Sequence, residues 1–152
     1  MDHNLINVAI AILSQEGQLL CQLRDDLSTI RYGGYWGLFG GHLDPGETPE
    51  QGLIRELKEE INYEVSATDL SLFGLYPSEG VMRYVFHVPL RVNISQLTLL
   101  EGWDMDLLTV ENIEQGECYS EKAGMVRHIA LPHQKILLNF ITQNPDLFSN
   151  KN

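Results

Sequence analysis

"GGHLDPGETPEQGLIRELKEEINYE", Gly40 to Glu64, sets six glutamates and one aspartate against one arginine and one lysine. Its middle is marked as a helix. Thr48 is a good N-cap, Pro49 suits the first helical position, and Gln51 completes a capping box of the T-x-x-Q kind. Asn62 is an apt left-handed residue for the far end. The spacing therefore predicts a helix over 49–61, on which Leu53, Ile54, Leu57 and Ile61 share the side turned to the core. Glu56, Glu59 and Glu60 cluster on another stripe, with Gly52 one turn before Glu56. Like charges at i,i+3 or i,i+4 cost roughly 0.2–0.5 kcal/mol per pair. Two readings account for such a stripe. One is a solvated acidic face. The other is a set of carboxylates converging on a hard cation, Mg²⁺ or Mn²⁺, with Gly52 clearing the space above it.

Outward from that helix the chain alternates strands and irregular stretches. "LINVAIAIL" and "QLLCQLR" read as two strands turned at Gln15-Glu16-Gly17. "RYGGYWGLFGGHLDPGE" fits neither period and reads as a functional loop with a short strand inside it. "LSLFGLY" and "VMRYVFHVPLRV" follow as strands, and "MDLLTV" as one more. "LPHQKILLNFITQ" places Ile136, Leu137, Phe140 and Ile141 at helical spacing and stops before Asn144-Pro145, which suits a closing helix. The fold class expected is α+β, a mixed sheet covered by helices. The 152 residues, without an evident linker, read as a single domain over 1–152.

A formal charge of −11 argues against non-specific binding to nucleic acid or to an anionic membrane surface. A phosphorylated small molecule is still admissible if a cation mediates the contact. Cys21 and Cys118 form no CxxC pair, which fits a reduced, cytoplasmic setting. The apolar run Leu5 to Leu13 is too short to span a bilayer, and it follows Asp2 rather than a basic segment, so no secretory signal is read.

The spacing of the acidic segment separates the two readings of the stripe. Gly41, five residues, Glu47, seven residues, then "RELKEE" from Arg55 to Glu60 resembles the box of the Nudix (MutT-like) hydrolases, G-x5-E-x7-R-E-U-x-E-E-x-G-U. With six fixed letters at roughly one in twenty each, a chance match at one start point is on the order of 10⁻⁸. The box occupies residues 41–63. It departs from the family pattern at Asn62, where the signature has glycine, at Tyr63 in its last apolar position, and at Phe39, where many members carry proline.

The resemblance implies a Nudix fold, a mixed β-sheet sandwiched between α-helices. It also implies a metal-dependent pyrophosphohydrolase acting on a small nucleoside diphosphate derivative: a nucleotide triphosphate, a nucleotide sugar or ADP-ribose. By matching positions, Glu56, Glu59 and Glu60 would ligate Mg²⁺ or Mn²⁺ with the Gly41 carbonyl. Arg55 and Glu47 would hold the loop against the helix through a charge-assisted contact. A later loop glutamate often joins the site in this family, and Glu101 before Gly102 is the first candidate, ahead of Glu111 and Glu114. Glu56 and Glu101 are both candidates for the base that takes the proton of the attacking water. The alternative is a Nudix-fold sensor that binds a nucleotide without turnover. Family members are often dimers, so a homodimer is admitted, although nothing in the sequence marks an interface.

Substrate-binding candidates are thinner. Trp36, Tyr76, Tyr84 and Trp103 offer rings for a base, Trp103 first because it neighbours Glu101. Arg24 and Arg83 offer charge for a phosphate, although each alone reads more readily as a surface charge. His42 lies beside the box glycine and reads as a bystander. No G-x-x-x-x-G-K-[ST] loop, dinucleotide fingerprint, H-E-x-x-H or G-x-S-x-G is present.

Overall fold

A computed structural model describes residues 5–149 of the chain; the reading at Asp2 lies outside them. In chain order the strands and helices are β1 (Ile6–Gln15), β2 (Gln18–Leu23), β3 (Trp36–Gly37), β4 (Phe39–His42), α1 (Pro49–Ile61), β5 (Ser71–Ser78), β6 (Val81–Pro89), β7 (Asp104–Leu108), α2 (Val110–Gln115), β8 (Glu117–Ser120), β9 (Met125–His128), α3 (Leu131–Gln143) and α4 (Pro145–Phe148). Single 3-10 turns lie at Ala67–Asp69 and Ile94–Gln96. The class is α+β, as expected. Among the described residues no helix is long and apolar enough to cross a membrane.

Two units are distinguished. The first joins the chain up to Ile12 with Phe39–Leu100. Here β4 lies antiparallel to β1, with Ala9 opposite Gly41 and Ala11 opposite Phe39. On the other side β1 neighbours β6, which pairs antiparallel with β5. The turn between β5 and β6, Glu79-Gly80, has φ of 54° and 77°. Two successive positive φ values match the twist of a tight hairpin and suit glycine at the second place.

Helix α1 packs on β4. Its start is held from both sides: Thr48 Oγ1 accepts from the Gln51 N–H at 3.1 Å, and Gln51 Oε1 accepts from the Thr48 N–H at 3.0 Å. Its end is the left-handed Asn62, with φ 55° and ψ 38°. Leu53, Leu57 and Ile61 are fully buried, each contributing about 1.5–3 kcal/mol of burial free energy. Ile54 stays half-buried, at the margin of the apolar stripe rather than within it.

The second unit joins Leu13–Leu38 with the chain from Glu101 onward. The last residues of β1 form a hairpin with β2, Leu13 opposite Leu20 and Gln15 opposite Gln18. Glu16 and Gly17 make the turn at φ 49° and 78°. Strand β7 runs along β2 from Leu19 to Leu23, while β3 pairs with Gln22 and Leu23. Trp36, from β3, is fully buried among the large side chains of this core, with Leu19, Leu20, Leu23, Leu108 and Phe140. Its indole N–H donates to the Cys118 carbonyl at 3.0 Å, and a parallel bridge joins it to Ile129. Helix α3 buries Ile136, Leu137 and Phe140 and leaves Ile141 half-buried.

Several elements depart from the sequence reading, among them a short helix α4 after Asn144. The glycine-rich stretch holds two short strands, β3 and β4, rather than one. "MDLLTV" stops being a strand at Leu108, because Thr109 caps α2: its Oγ1 accepts from the Asn112 N–H at 3.1 Å. The β8–β9 ribbon, Glu117 opposite His128, is absent from the sequence reading, since four-residue strands are too short to display a period.

Candidate functional site

Arg55, on α1, hydrogen-bonds three carboxylates, and its Nε lies 3.4 Å from a fourth, Asp44 Oδ2. Its Nε donates to Glu47 Oε2 at 2.7 Å and its Nη2 to Glu47 Oε1 at 2.9 Å, a two-point grip. Its Nη1 donates to Glu56 Oε1 at 3.0 Å and to Glu59 Oε1 at 3.1 Å. The remaining reach of Nη2 goes to the His42 carbonyl at 3.1 Å. One guanidinium thus ties the loop before α1 to two turns of the helix.

Glu47 also accepts from the Asp44 N–H at 2.7 Å. The hydrogen bond from Arg55, with that backbone N–H second, holds its carboxyl at about 2, well below the usual value of 4.5. A depressed folded pKa means that the carboxylate's contribution to stability is complete above 4.5 and is lost only as the pH falls towards 2. Side-chain NMR during acid titration is expected to place the Glu47 midpoint near pH 2. In Arg55→Ala that midpoint should move back towards 4.5.

The acidic stripe is not uniformly solvated. Glu60 is only 5% exposed, and its Oε1 accepts from the Gly40 N–H at 2.8 Å. The Glu56 side chain is 15% exposed, against 52% for Glu59. A Cβ on Gly41 would come within 2.8 Å of the Glu56 carboxylate, so the bare glycine lets that group lie against the strand. Gly40 has φ 136°, and a Cβ there would meet the Ala9 carbonyl at 2.1 Å, which leaves the position to glycine. Gly52 serves a different purpose from the one expected. A Cβ there would meet Leu43 Cδ2 at 2.3 Å and Glu47 Oε1 at 3.2 Å, so it admits the loop rather than clearing space above the stripe.

Among the described residues no group of three or more His, Cys, Asp or Glu side chains is arranged to hold a metal ion. Glu60 points one oxygen to Gly40, while Glu56 and Glu59 each give one to Arg55.

The family model for the NUDIX domain matches residues 3–128. The chain belongs to the NUDIX domain family. An 8-oxo-dGTP diphosphatase from Proteus vulgaris is 34% identical over 70 residues, 46% of this chain and 62% of that one. The nucleoside triphosphatase NudI of Escherichia coli is 38% identical over 53 residues, 35% of this chain and 36% of that protein. The chain thus spans less than two thirds of either relative. The crystal structure of a MutT protein from Methanosarcina mazei superposes with a TM-score of 0.72 at 20% identity, covering 91% of this chain and 94% of that one.

The places where this NUDIX domain departs from the family pattern are structurally ordinary. Asn62 takes the left-handed conformation and its N–H returns to the Lys58 carbonyl at 3.0 Å, as glycine's would. Tyr63 is buried to the hydroxyl, which donates to the Pro89 carbonyl and accepts from the Arg91 N–H, both at 3.1 Å. Phe39 is fully buried on β4.

In the unit that carries the box, Arg83 is not the surface charge of its alternative reading. It is 3% exposed, and its Nη1 donates to Ser78 Oγ at 2.8 Å and to the Ser78 carbonyl at 3.2 Å. His42 is exposed. Tyr76 and Tyr84 are half-buried. In the other unit, Trp36 is enclosed in the core with no ring face open, which removes it from the substrate-binding candidates. Glu101 is exposed, Arg24 half-buried, and Trp103 half-buried, its backbone N–H donating to the Leu23 carbonyl at 2.8 Å. Glu111 lies in the first turn of α2 and is exposed, as is Glu114.

Sequence reasoning passed over Arg127 and His133. Arg127 places its guanidinium carbon 5.5 Å from the centre of the Trp103 ring. His133 Nδ1 accepts from the Leu38 N–H at 2.8 Å. Neither sits in a motif, and each partner lies far away along the chain.

Proposed function

We propose that this chain is a metal-dependent hydrolase of the pyrophosphate bond in a nucleoside diphosphate derivative. The observation that carries the reading is the treatment of the acidic stripe. A merely solvated face would leave its carboxylates in water. Here Glu60 is buried against a backbone N–H and Glu56 is tucked against a bare glycine.

The donor set suits Mg²⁺ or Mn²⁺: hard carboxylate oxygens on one helix face beside a glycine whose missing Cβ leaves Glu56 its place. Glu56, Glu59 and Glu60 would hold the ion with the Gly41 carbonyl, and Glu101 is the further candidate ligand. When bound, the ion neutralises phosphate charge and lowers the pKa of water. Arg55 and Glu47 keep the loop on the helix. Glu56 or Glu101 accepts a proton from the attacking water at a carboxylate oxygen, while the water oxygen bonds to phosphorus and the bridging P–O bond breaks. A nucleotide triphosphate, a nucleotide sugar or ADP-ribose fits this reaction, and the names of the two relatives favour the triphosphate.

The single-domain reading over 1–152 is part of the proposal, supported by a family match that takes in residues of both units. So is a cytoplasmic setting, which the two buried free cysteines suit. A sensor that binds a nucleotide without turnover is the second reading, although such a sensor has no need of the box carboxylates and this chain keeps Glu47, Glu56, Glu59 and Glu60.

A phosphate-release screen separates the two. It would span nucleoside triphosphates, oxidised nucleotides, nucleotide sugars, ADP-ribose and dinucleoside polyphosphates with Mg²⁺ or Mn²⁺, coupled to a phosphatase. Turnover of one compound class, abolished by chelation, is the expected result. Silence across the panel with metal binding intact makes the chain a sensor. Light scattering on the same preparation tests the homodimer.

A further inference from the structure

We propose that the bare apolar face of the β5–β6 hairpin, carrying Leu72, Leu75 and Pro77, is where a second copy of this chain docks. The inference is independent of the hydrolase reading.

Both strands belong to the first unit. They pair from Ser71 opposite His87 to Ser78 opposite Val81, with one irregularity between Leu72 and Gly74. Residues directly opposed across an antiparallel pair share a face, and successive residues along a strand alternate. Leu72 and Leu75 would therefore lie on opposite faces of a regular strand. A bulge at Phe73 takes up one residue and changes that. Leu72 now stands opposite Phe86, Leu75 opposite Tyr84 and Pro77 opposite Met82, all on one face. Gly74 and Tyr76, opposite Val85 and Arg83, take the other face.

The face so formed is open. Leu72 is 58% exposed and Leu75 52%, Pro77 is exposed, and Met82 and Tyr84 are half-buried. No residue of β5 is buried. Neighbouring bare leucines on one sheet face make a patch, which marks a contact surface where scattered single residues would not.

Charge selects the occupant. β5 has no charged side chain, and the acids that flank it are answered by arginines: Asp69 lies 2.7 Å from Arg91 Nη1, and Glu79 lies 3.9 Å from Arg83 Nη2. A basic partner is drawn to the acidic remainder of the surface rather than to this patch. Two copies, each of formal charge −11, repel one another and can meet only where acids are absent or offset. The edge of β5 is a poor alternative to its face. Pro77 has no N–H to give, and a bulge interrupts the ladder, two devices that blunt an edge against strand pairing. Face-to-face contact about a two-fold axis closes at two copies. Five side chains are few beside the roughly 20–30 residues per side of a standard interface, so the pair forms only as concentration rises.

Sedimentation velocity tests this. The wild type is expected to pass from monomer at about 5 μM to mostly dimer at about 500 μM, in keeping with a small interface. Added NaCl should tighten the pair, because salt screens the repulsion and leaves an apolar contact intact. Leu75→Glu should weaken association at least about tenfold and, at so exposed a position, melt close to the wild type. Should that variant fail to fold, dilution of the wild type followed by NMR still decides. The methyl signals of Leu72 and Leu75 should move with concentration, while those of the buried Leu53 and Leu57 stay in place.

A wild type still monomeric at about 500 μM overturns the proposal, since even a small interface should be populated there. A dimer unaffected by Leu75→Glu also overturns it, because the contact then lies elsewhere. Association that weakens with salt rests on ion pairs, and species that grow beyond two copies rest on edges; either result is equally fatal. None of these outcomes bears on turnover.

Discussion

Glu60→Gln is expected to lower Mg²⁺-dependent turnover by at least about 10²–10³-fold while the protein melts close to the wild-type temperature. The two halves of that expectation come from different features of one side chain. Glu60 is buried and uses one oxygen to accept from the Gly40 N–H. Glutamine has nearly the same shape and keeps an acceptor oxygen for that bond, so the start of β4 stays anchored. It also removes one charge from a stripe of three carboxylates that repel one another, which offsets the lost charge-assisted strength of the hydrogen bond. What glutamine cannot supply is the second hard, anionic oxygen that the proposal assigns to a metal ion. Calorimetry with Mn²⁺ on the same variant should show weaker metal binding. Full Mg²⁺-dependent activity in Glu60→Gln would end the ligand assignment, whatever the melting temperature did.

The contrast between α1 and the later part of the chain shows what a sequence of this kind discloses. The bounds of α1 follow from signals that are local: Thr48 and Gln51 cap one end, Asn62 turns the other, and the apolar period runs between them. The partner of Arg55 was legible because the spacing of a known box implies it, and the pair is there at 2.7 Å. Burial of Glu60 was not legible. It depends on which residue of β4 presents an N–H to the helix, a matter of register and packing rather than of composition. Gly52 carried a signal that was read in the right place for the wrong neighbour, because nothing in the sequence says that Leu43 folds back on the helix. The Trp103–Arg127 pair spans a strand, the helix α2 and a ribbon of two four-residue strands. Trp36 likewise reads as one aromatic among several until the core closes round it.

Arg55→Ala is expected to do what Glu60→Gln does not: lower stability and activity together. Arg55 neutralises Glu47 and gives one donor to each of Glu56 and Glu59, so its removal leaves the three acids facing one another without a counter-charge. A fully buried pair broken from one side costs about 3–5 kcal/mol. The Arg55 side chain is 26% exposed, and water takes over part of the work. The expected loss is therefore about 1–2 kcal/mol, or roughly 3–8 °C in Tm for a chain of this size. The pH dependence should change as well. In the wild type the Glu47 contribution is lost as the pH falls from 4.5 towards about 2; without Arg55 the folded and unfolded values coincide and Glu47 contributes no pH dependence, so the variant's deficit should be largest at neutral pH and shrink on acidification. Arg55→Lys restores charge but not the two-point grip on Glu47, and should recover stability more fully than turnover. If Arg55→Ala melts like the wild type while Glu47 still titrates near 2, the guanidinium is not what holds the loop to α1. Divalent cation offers a second check on the same variant. If the stripe is a metal site, Mg²⁺ should raise the Tm of Arg55→Ala more than that of the wild type, because the ion then relieves repulsion that Arg55 no longer screens.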